Sequence, residues 1–308
     1  MKKIIFIILF LATASSQDWG SRSGSFLRMG ISARSIAMGG GFTAELDKSF
    51  ATFHNPAWAA FLIDRHFGSS YTNLSLDRRL AANSFAMSLP PTAGIGVAWV
   101  FAGVSDIQGR FSTGMKSSKM QTGENALMIT FAQRIMPWLS IGANFKLLKY
   151  DLPITESDQI SGSGIGFDIG LLIKTGKYNT LGIVIQDLSS NYQWDTNDIY
   201  TQGGPYKEDF PIIYRIGSRF FNKGLSIVGD VGLITNHKTF SSLLPRLGVE
   251  YGFLEQYFFR GGYGNGRIGF GAGYEYRLFK HKDSRIDYAF SMDWVSQTAH
   301  TISYAFSF

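Results

Sequence analysis

Apolar and polar residues alternate with a period of two along most of the chain, most plainly at its end. Ile302, Tyr304, Phe306 and Phe308 fall on one face, and Thr301, Ser303, Ala305 and Ser307 on the other. Upstream, Ile286, Tyr288, Phe290, Met292 and Trp294 oppose Asp287, Ala289, Ser291 and Asp293. Leu247, Val249, Tyr251 and Phe253 oppose Arg246, Gly248, Glu250 and Gly252, and Ile165, Phe167, Ile169, Leu171 and Ile173 oppose Gly164, Gly166, Asp168, Gly170 and Lys174. Successive side chains of a strand point to opposite faces, so each run reads as a strand with one large apolar face and one polar or glycine face. A soluble sandwich also alternates, but it turns the apolar face inward and shows charge to water. Here the small face is rich in glycine and the large one in aromatics, the pattern of strands that meet lipid on one side.

Cutting the chain at turn residues predicts about fourteen strands, at 66–74, 80–90, 93–103, 124–134, 138–150, 162–174, 179–187, 211–220, 223–234, 242–252, 256–263, 266–278, 284–295 and 299–308. The long connections, 104–123, 151–161 and 188–210, all follow odd-numbered strands. Those after even strands are tight, as at Pro90-Pro91, Met136-Pro137 and Asn222-Lys223. Long loops outside and short turns on the periplasmic side are the rule for outer-membrane barrels. The fold class expected is therefore all-β, a transmembrane antiparallel barrel. Its last strand would pair with its first, removing both exposed edges. Tyr304, Phe306 and Phe308 are the expected aromatic signal for barrel-insertion machinery.

Composition agrees with this reading. Charged residues are 17% and aromatics 15%, with 35 glycines in 308 residues, against about 25% charge and 7% glycine in ordinary soluble chains. Met1-Lys2-Lys3, the apolar run Ile4–Ala12 and the small residues up to Ser16 read as a cleaved signal peptide, residues 1–16. That run is far shorter than the roughly 20 residues a membrane-spanning helix needs. The chain has no cysteine, so neither a disulfide nor a lipid-anchored cysteine is available. Its formal net charge is +6, two of which are Lys2 and Lys3, and no basic run with interleaved aromatics argues for nucleic acid. The partners expected are outer-membrane lipid and the insertion machinery.

Residues 17–65 do not alternate. They contain Ala33-Arg34-Ser35-Ile36-Ala37-Met38-Gly39-Gly40-Gly41-Phe42-Thr43-Ala44, then Asp47, then Asn55-Pro56-Ala57. A compact segment of this kind could plug the lumen of a barrel made by residues 66–308. Inward Arg215, Arg219, Arg246, Glu250, Arg267, Glu275 and Asp287 could then pair with it or with one another, as buried charge requires. Over these roughly 35 residues the chain resembles the PorV/PorQ family, a branch of the FadL-like outer-membrane barrels. That family carries a Gly-Ala-Arg-x-x-Ala-Met-Gly-Gly-Ala-Phe-Thr-Ala block, an acidic turn and Asn-Pro-Ala. Lys48 and Trp58 depart from its pattern.

The resemblance implies an N-terminal hatch inside a fourteen-stranded barrel. It also implies a role as an accessory to protein secretion or surface attachment, with a secreted cargo protein or a translocon subunit as partner. The alternative, from other FadL-like members, is a channel for long-chain fatty acids or other hydrophobic compounds. Within the hatch motif, Arg34 reads first as a hatch-to-wall ion pair and second as a contact for an acidic headgroup. Asn55, Pro56 and Ala57 read first as a turn that fixes the hatch to the wall and second as a gate.

In the long 188–210 connection, Tyr192, Trp194, Tyr200 and Tyr206 are candidate partner contacts, since aromatic loop residues are favoured there. They would equally suit a loop folded over the barrel mouth. No catalytic, metal or cofactor site is expected. Gly264-Asn265-Gly266-Arg267-Ile268-Gly269 fits a dinucleotide fingerprint in letters but lies between strands, where Gly-Asn-Gly is a hairpin signal. His54, His66, His237, His281 and His300 lack ligand spacing.

Overall fold

In lipid every backbone N–H and C=O must find a partner within the protein, and a sheet achieves this only by closing on itself. The alternating segments do so. The computed structural model describes residues 22–155, 158–197, 199, 201–235, 240–279, 282–293 and 298–308. Residues 1–16, Tyr200, His237, His281 and Trp294 therefore lie outside the described residues.

Seven strands precede the 188–210 connection: β1 (His66–Leu74), β2 (Arg78–Leu89), β3 (Ala93–Arg110), β4 (Lys116–Met136), β5 (Leu139–Pro153), β6 (Gln159–Lys174) and β7 (Asn179–Leu188). Two short strands, β8 (Asn191–Asp195) and β9 (Pro205–Asp209), lie within it. Seven follow: β10 (Ile212–Asn222), β11 (Leu225–Thr235), β12 (Phe240–Phe253), β13 (Tyr257–Gly264), β14 (Arg267–Phe279), β15 (Lys282–Asp293) and β16 (Thr298–Ser307). Sequence neighbours pair antiparallel throughout, with β7 passing directly to β10. The ring closes where β1 pairs β16 from His66↔Ser307 to Leu74↔Ala299. Arg65 and Phe308 extend the seam by exchanging backbone hydrogen bonds of 3.2 and 3.0 Å. The result is a closed fourteen-stranded antiparallel barrel, as the alternation predicts.

All three long predicted connections carry strand, with β5 and β6 running into 151–161 to Pro153 and from Gln159. β3 and β4 continue past the expected limits, so that 104–123 is a projecting hairpin with its turn at 111–115. These residues, Ser105-Asp106-Ile107-Gln108 and onward, stand clear of lipid, so nothing requires the apolar alternation by which membrane strands are recognised. The 188–210 connection holds β8 and β9, which pair with each other from Asn191↔Asp209 to Asp195↔Pro205. Among the described residues its one strand pairing with the barrel sheet is Ser163↔Gln193.

Outward side chains make a continuous apolar belt. Val97, Ile129, Phe131, Ile141, Leu147, Ile165, Val249, Phe259, Phe270 and Ile302 are all exposed, although a soluble protein would bury them. Trp138, Tyr178 and Tyr257 ring its short-turn end, and Tyr71, Trp99 and Tyr214 its long-loop end, as interfacial girdles do. This belt and the fold place the chain in a bacterial outer membrane as a multi-pass barrel. The short-turn end is the periplasmic one.

Ile129 lies mid-belt, between Val97 on β3 and Phe145 on β5. Ile129→Arg should destabilise the barrel by about 2–4 kcal/mol, measured by denaturant unfolding in lipid vesicles. An unchanged midpoint would mean that this face does not meet lipid.

Candidate functional site

Residues 22–65 fill the lumen. They form 3-10 turns at Ser25–Arg28, Lys48–Phe50 and Pro56–Phe61 and two short helices, α1 (Ala33–Ala37) and α2 (Ala51–His54). Ser32 caps α1 by accepting from the Ser35 backbone N–H at 3.1 Å. Gly39 and Gly40 end it with φ of 68° and 75°, a left-handed pair that side chains strongly disfavour. Such short elements cannot hold themselves together; the barrel wall holds them.

The glycines of the inward face explain how. A Cβ at Gly142 on β5 would sit 2.5 Å from the Pro56 carbonyl carbon, and one at Gly271 on β14 would sit 2.6 Å from the Ala37 methyl. At Gly94, Gly182, Gly248, Gly262 and Gly264 the clash would be with hatch backbone at Ala59, Thr43, Met38 and Gly39. The inward face is glycine-rich because hatch main chain lies directly on it.

Each residue of the hatch motif has a definite place. Met38 is fully buried with Phe42 and Val228. Asn55 donates from Nδ2 to the carbonyls of Thr43 (2.8 Å) and Leu171 on β6 (3.2 Å), and its Oδ1 accepts from Ala57 N at 3.1 Å. Pro56 opens the 3-10 turn that follows. Asn55-Pro56-Ala57 is thus a turn tied to the wall.

Arg34 donates from Nε and Nη2 to the two oxygens of Glu250 on β12, at 2.8 and 2.6 Å, and from Nη1 to the Leu46 carbonyl at 2.7 Å. Glu250 also meets Arg260 at 2.5 Å, and Arg260 meets Asp287 at 2.8 Å. Arg285 bridges Asp287 at 2.7 Å and hatch Asp47 at 3.3 Å, while Arg219 meets hatch Glu45 at 2.6 Å. Four guanidiniums therefore face four carboxylates, with no uncompensated charge in this buried cluster. Burial alone would raise the Asp47 carboxyl; Arg285, Arg34 and the Ser32 hydroxyl overcome it and hold it below its usual range. Burial pushes the nearby His54 imidazole down to about 4, so it is neutral at physiological pH.

Two further inward networks complete the polar lining. Lys146 on β5 meets Asp168 at 2.6 Å and Asp187 at 2.7 Å. Asp230 on β11 lies 3.6 Å from both Arg215 and Arg246 and accepts from Thr43 Oγ1 at 2.8 Å. Arg267 lies 3.9 Å from Asp293. Of the inward charges expected to pair, only Glu275 makes no ion pair among the described residues; it lines the periplasmic mouth. Glu45, Arg260 and Arg285 escaped the sequence reading, although strict alternation puts Arg260 and Arg285 on the inward faces of β13 and β15.

Toward the extracellular end the lining changes character. Leu74, Leu80, Val100, Met128 and Leu148 point inward from β1–β5 and join hatch residues Phe26, Ile31, Phe50 and Phe53 in one apolar cluster. The β8–β9 hairpin covers it with Tyr192, Trp194 and Phe210. Tyr192 is 1% exposed and Trp194 8%, so these two aromatics are turned into the mouth, whereas Tyr206 is 65% exposed. The cause is apolar burial on the luminal cluster. Tyr192 packs edge-on to Phe210 at 5.0 Å, and Trp194 donates to Glu208 at 3.0 Å. Glu208 in turn accepts from hatch Ser23, so lid and hatch are joined.

Two cavities flank the plug. One, of about 60 Å³, lies among Leu27, Phe53, Leu74, Leu80 and Arg215. The other, of about 560 Å³, opens at the periplasmic mouth.

No protein-family model matches the chain, and no curated protein matches it in sequence. Solved structures do match. The toluene transporter TodX of P. putida superposes with a TM-score of 0.67 at 15% identity, over 91% of this chain and 99% of that one. The toluene transporter TbuX of Ralstonia pickettii gives 0.63 at 16%, over 91% and 98%. A FadL homologue of Pseudomonas aeruginosa gives 0.64 at 11%, over 90% and 98%. The chain thus has the fold of the FadL-like outer-membrane barrels. The narrower PorV/PorQ likeness rests on the hatch motif alone.

Glu250→Gln removes the anion that Arg34 and Arg260 share. Losing one partner of a buried ion pair costs about 3–5 kcal/mol, so the hatch should loosen before the barrel does. Limited proteolysis of the folded protein should then cut within residues 22–65 at protease levels that leave the wild-type hatch intact.

Proposed function

We propose that this barrel passes small hydrophobic compounds across the outer membrane, with the hatch as its gate. One observation carries the reading: β1–β5 line the outer part of the lumen with an apolar wall. A barrel that conducts water and solutes needs a polar interior. Leu74, Leu80, Val100, Met128 and Leu148 instead make a dry wall beneath a lid hairpin, where an apolar compound would be favoured over water by roughly 25 cal/mol per Å² of buried surface. The small cavity with Phe53, Leu74 and Leu80 on one side and Arg215, Arg246 and Arg267 on the other is where that wall and the hatch leave room. Proteins of the same fold that are named toluene transporters support the same reading.

The paired charges do not oppose it: the cluster around Glu250 lies on the periplasmic side of this wall, and Lys146, Asp230 and Arg267 beside it each keep a carboxylate or guanidinium partner. They close the path and define what must part for it to open. The secretion-accessory role has only the motif resemblance behind it, and two of the loop aromatics it would use are buried.

Deleting the gene should slow uptake of toluene and of a long-chain fatty acid by whole cells, while glucose uptake stays unchanged. Val100→Glu, which puts a carboxylate on the apolar wall between Ala82 and Ala126, should lower uptake to the level of the deletion strain at equal amounts of folded barrel. Wild-type rates for both hydrophobic probes in the deletion strain would refute the proposal.

A further inference from the structure

The periplasmic mouth holds cations that the hatch lock does not use. Alternation turns Arg134, at the end of β4, and Lys174, at the end of β6, toward the lumen. Lys174 Nζ stands 3.6 Å from the centre of the Phe61 ring and 5.9 Å from that of Trp58, with the Arg134 guanidinium 6.0 Å from Phe61. Neither cation, nor Lys177 beside them, forms an ion pair with any carboxylate among the described residues, whereas the arginines of the lock are all paired. Trp58 is 3% exposed, and its indole N–H has no acceptor among the described residues. A buried donor left unsatisfied is costly, so this one calls for an explanation. Trp58, Lys174 and Lys177 line the same cavity of about 560 Å³, within the range of small-molecule sites. Its other walls include two inward aromatics, Phe221 beside Arg219 and Phe258 beside Arg260. Glu275 and Asp283 also line it, and Asp283 is 3.7 Å from Arg277.

We propose that this vestibule is a binding site for an organic monoanion with a flat apolar body, of the aryl carboxylate class. Lys174 and the Trp58 indole N–H supply the donors for the carboxylate, and the ring faces of Phe221 and Phe258 supply the surface for the body. Charge-assisted donors in a partly dry site discriminate an anion from its neutral isostere. Aromatic walls favour a planar body over a hydrated inorganic anion. The site is independent of whether compounds cross the hatch, because it is reached from the periplasm with the lock closed.

The test uses the full-length protein in detergent micelles, with benzoate and its neutral isostere benzamide at constant ionic strength. Saturation-transfer NMR reads occupancy, and heat-modifiable gel mobility verifies folding of each variant. Benzoate should bind saturably and about tenfold more tightly than benzamide. Lys174→Gln should abolish that preference, and Trp58→Phe, which keeps a ring but removes the N–H, should reduce it. Benzoate binding no tighter than benzamide, or a preference that survives Lys174→Gln in a folded barrel, would overturn the assignment.

Discussion

A ring of fourteen strands encloses more space than its own side chains can fill; about eight strands is the limit for that. This width governs the rest of the structure. An empty lumen would be a water pore, so a barrel that is not one must import its core, and here residues 22–65 supply it. The wall is cut to receive main chain, which is why its inward face is glycine where an eight-stranded barrel would have leucine. The two sides of each strand thus answer to different solvents. The outer side is matched to lipid, and the inner side to a peptide segment of the same chain.

The imported core is zoned along the barrel axis. Its periplasmic half is ionic, with Arg34, Glu45 and Asp47 set among Arg219, Glu250, Arg260, Asp287 and Arg285. Its extracellular half is apolar on the β1–β5 side, with Phe26, Ile31 and Phe53 against Leu80, Val100 and Met128. The zones hold the hatch by different physics. The ionic half is directional and strong only while every charge keeps its partner. The apolar half is non-directional and tolerates a guest of similar polarity. A plug held this way is anchored at one end and accommodating at the other.

Much of this was legible in the residues alone. The strand positions followed from alternation, because lipid enforces it without exception across the belt, and the pairing of first with last strand followed from the need to remove edges. The hatch was visible as the one long stretch without a period, and Arg34 as a cation needing a luminal carboxylate. Legibility failed where lipid stops acting. β3 and β4 run on beyond the membrane with polar residues on both faces, so they read as loop. Tyr192 and Trp194 looked like contact residues because nothing local distinguishes an aromatic that caps a mouth from one that meets a partner. That distinction lies with Leu80 and Met128, inward residues on distant strands, and only the closed ring brings them beneath the hairpin. Glu45 was missed because it meets Arg34 and Arg219 only once the hatch is seated in the lumen.

The route of the hatch bears on how the barrel can be made. The segment starts beneath the extracellular hairpin, where Ser23 meets Glu208, and runs the length of the lumen to Arg65, which joins the β1–β16 seam. Its main chain rests on glycines of β3, β5, β12 and β13 with no clearance for a side chain to slide past. A finished cylinder could not be threaded afterwards by such a tightly cradled strap. The wall must therefore close around the hatch, like staves raised around a mandrel.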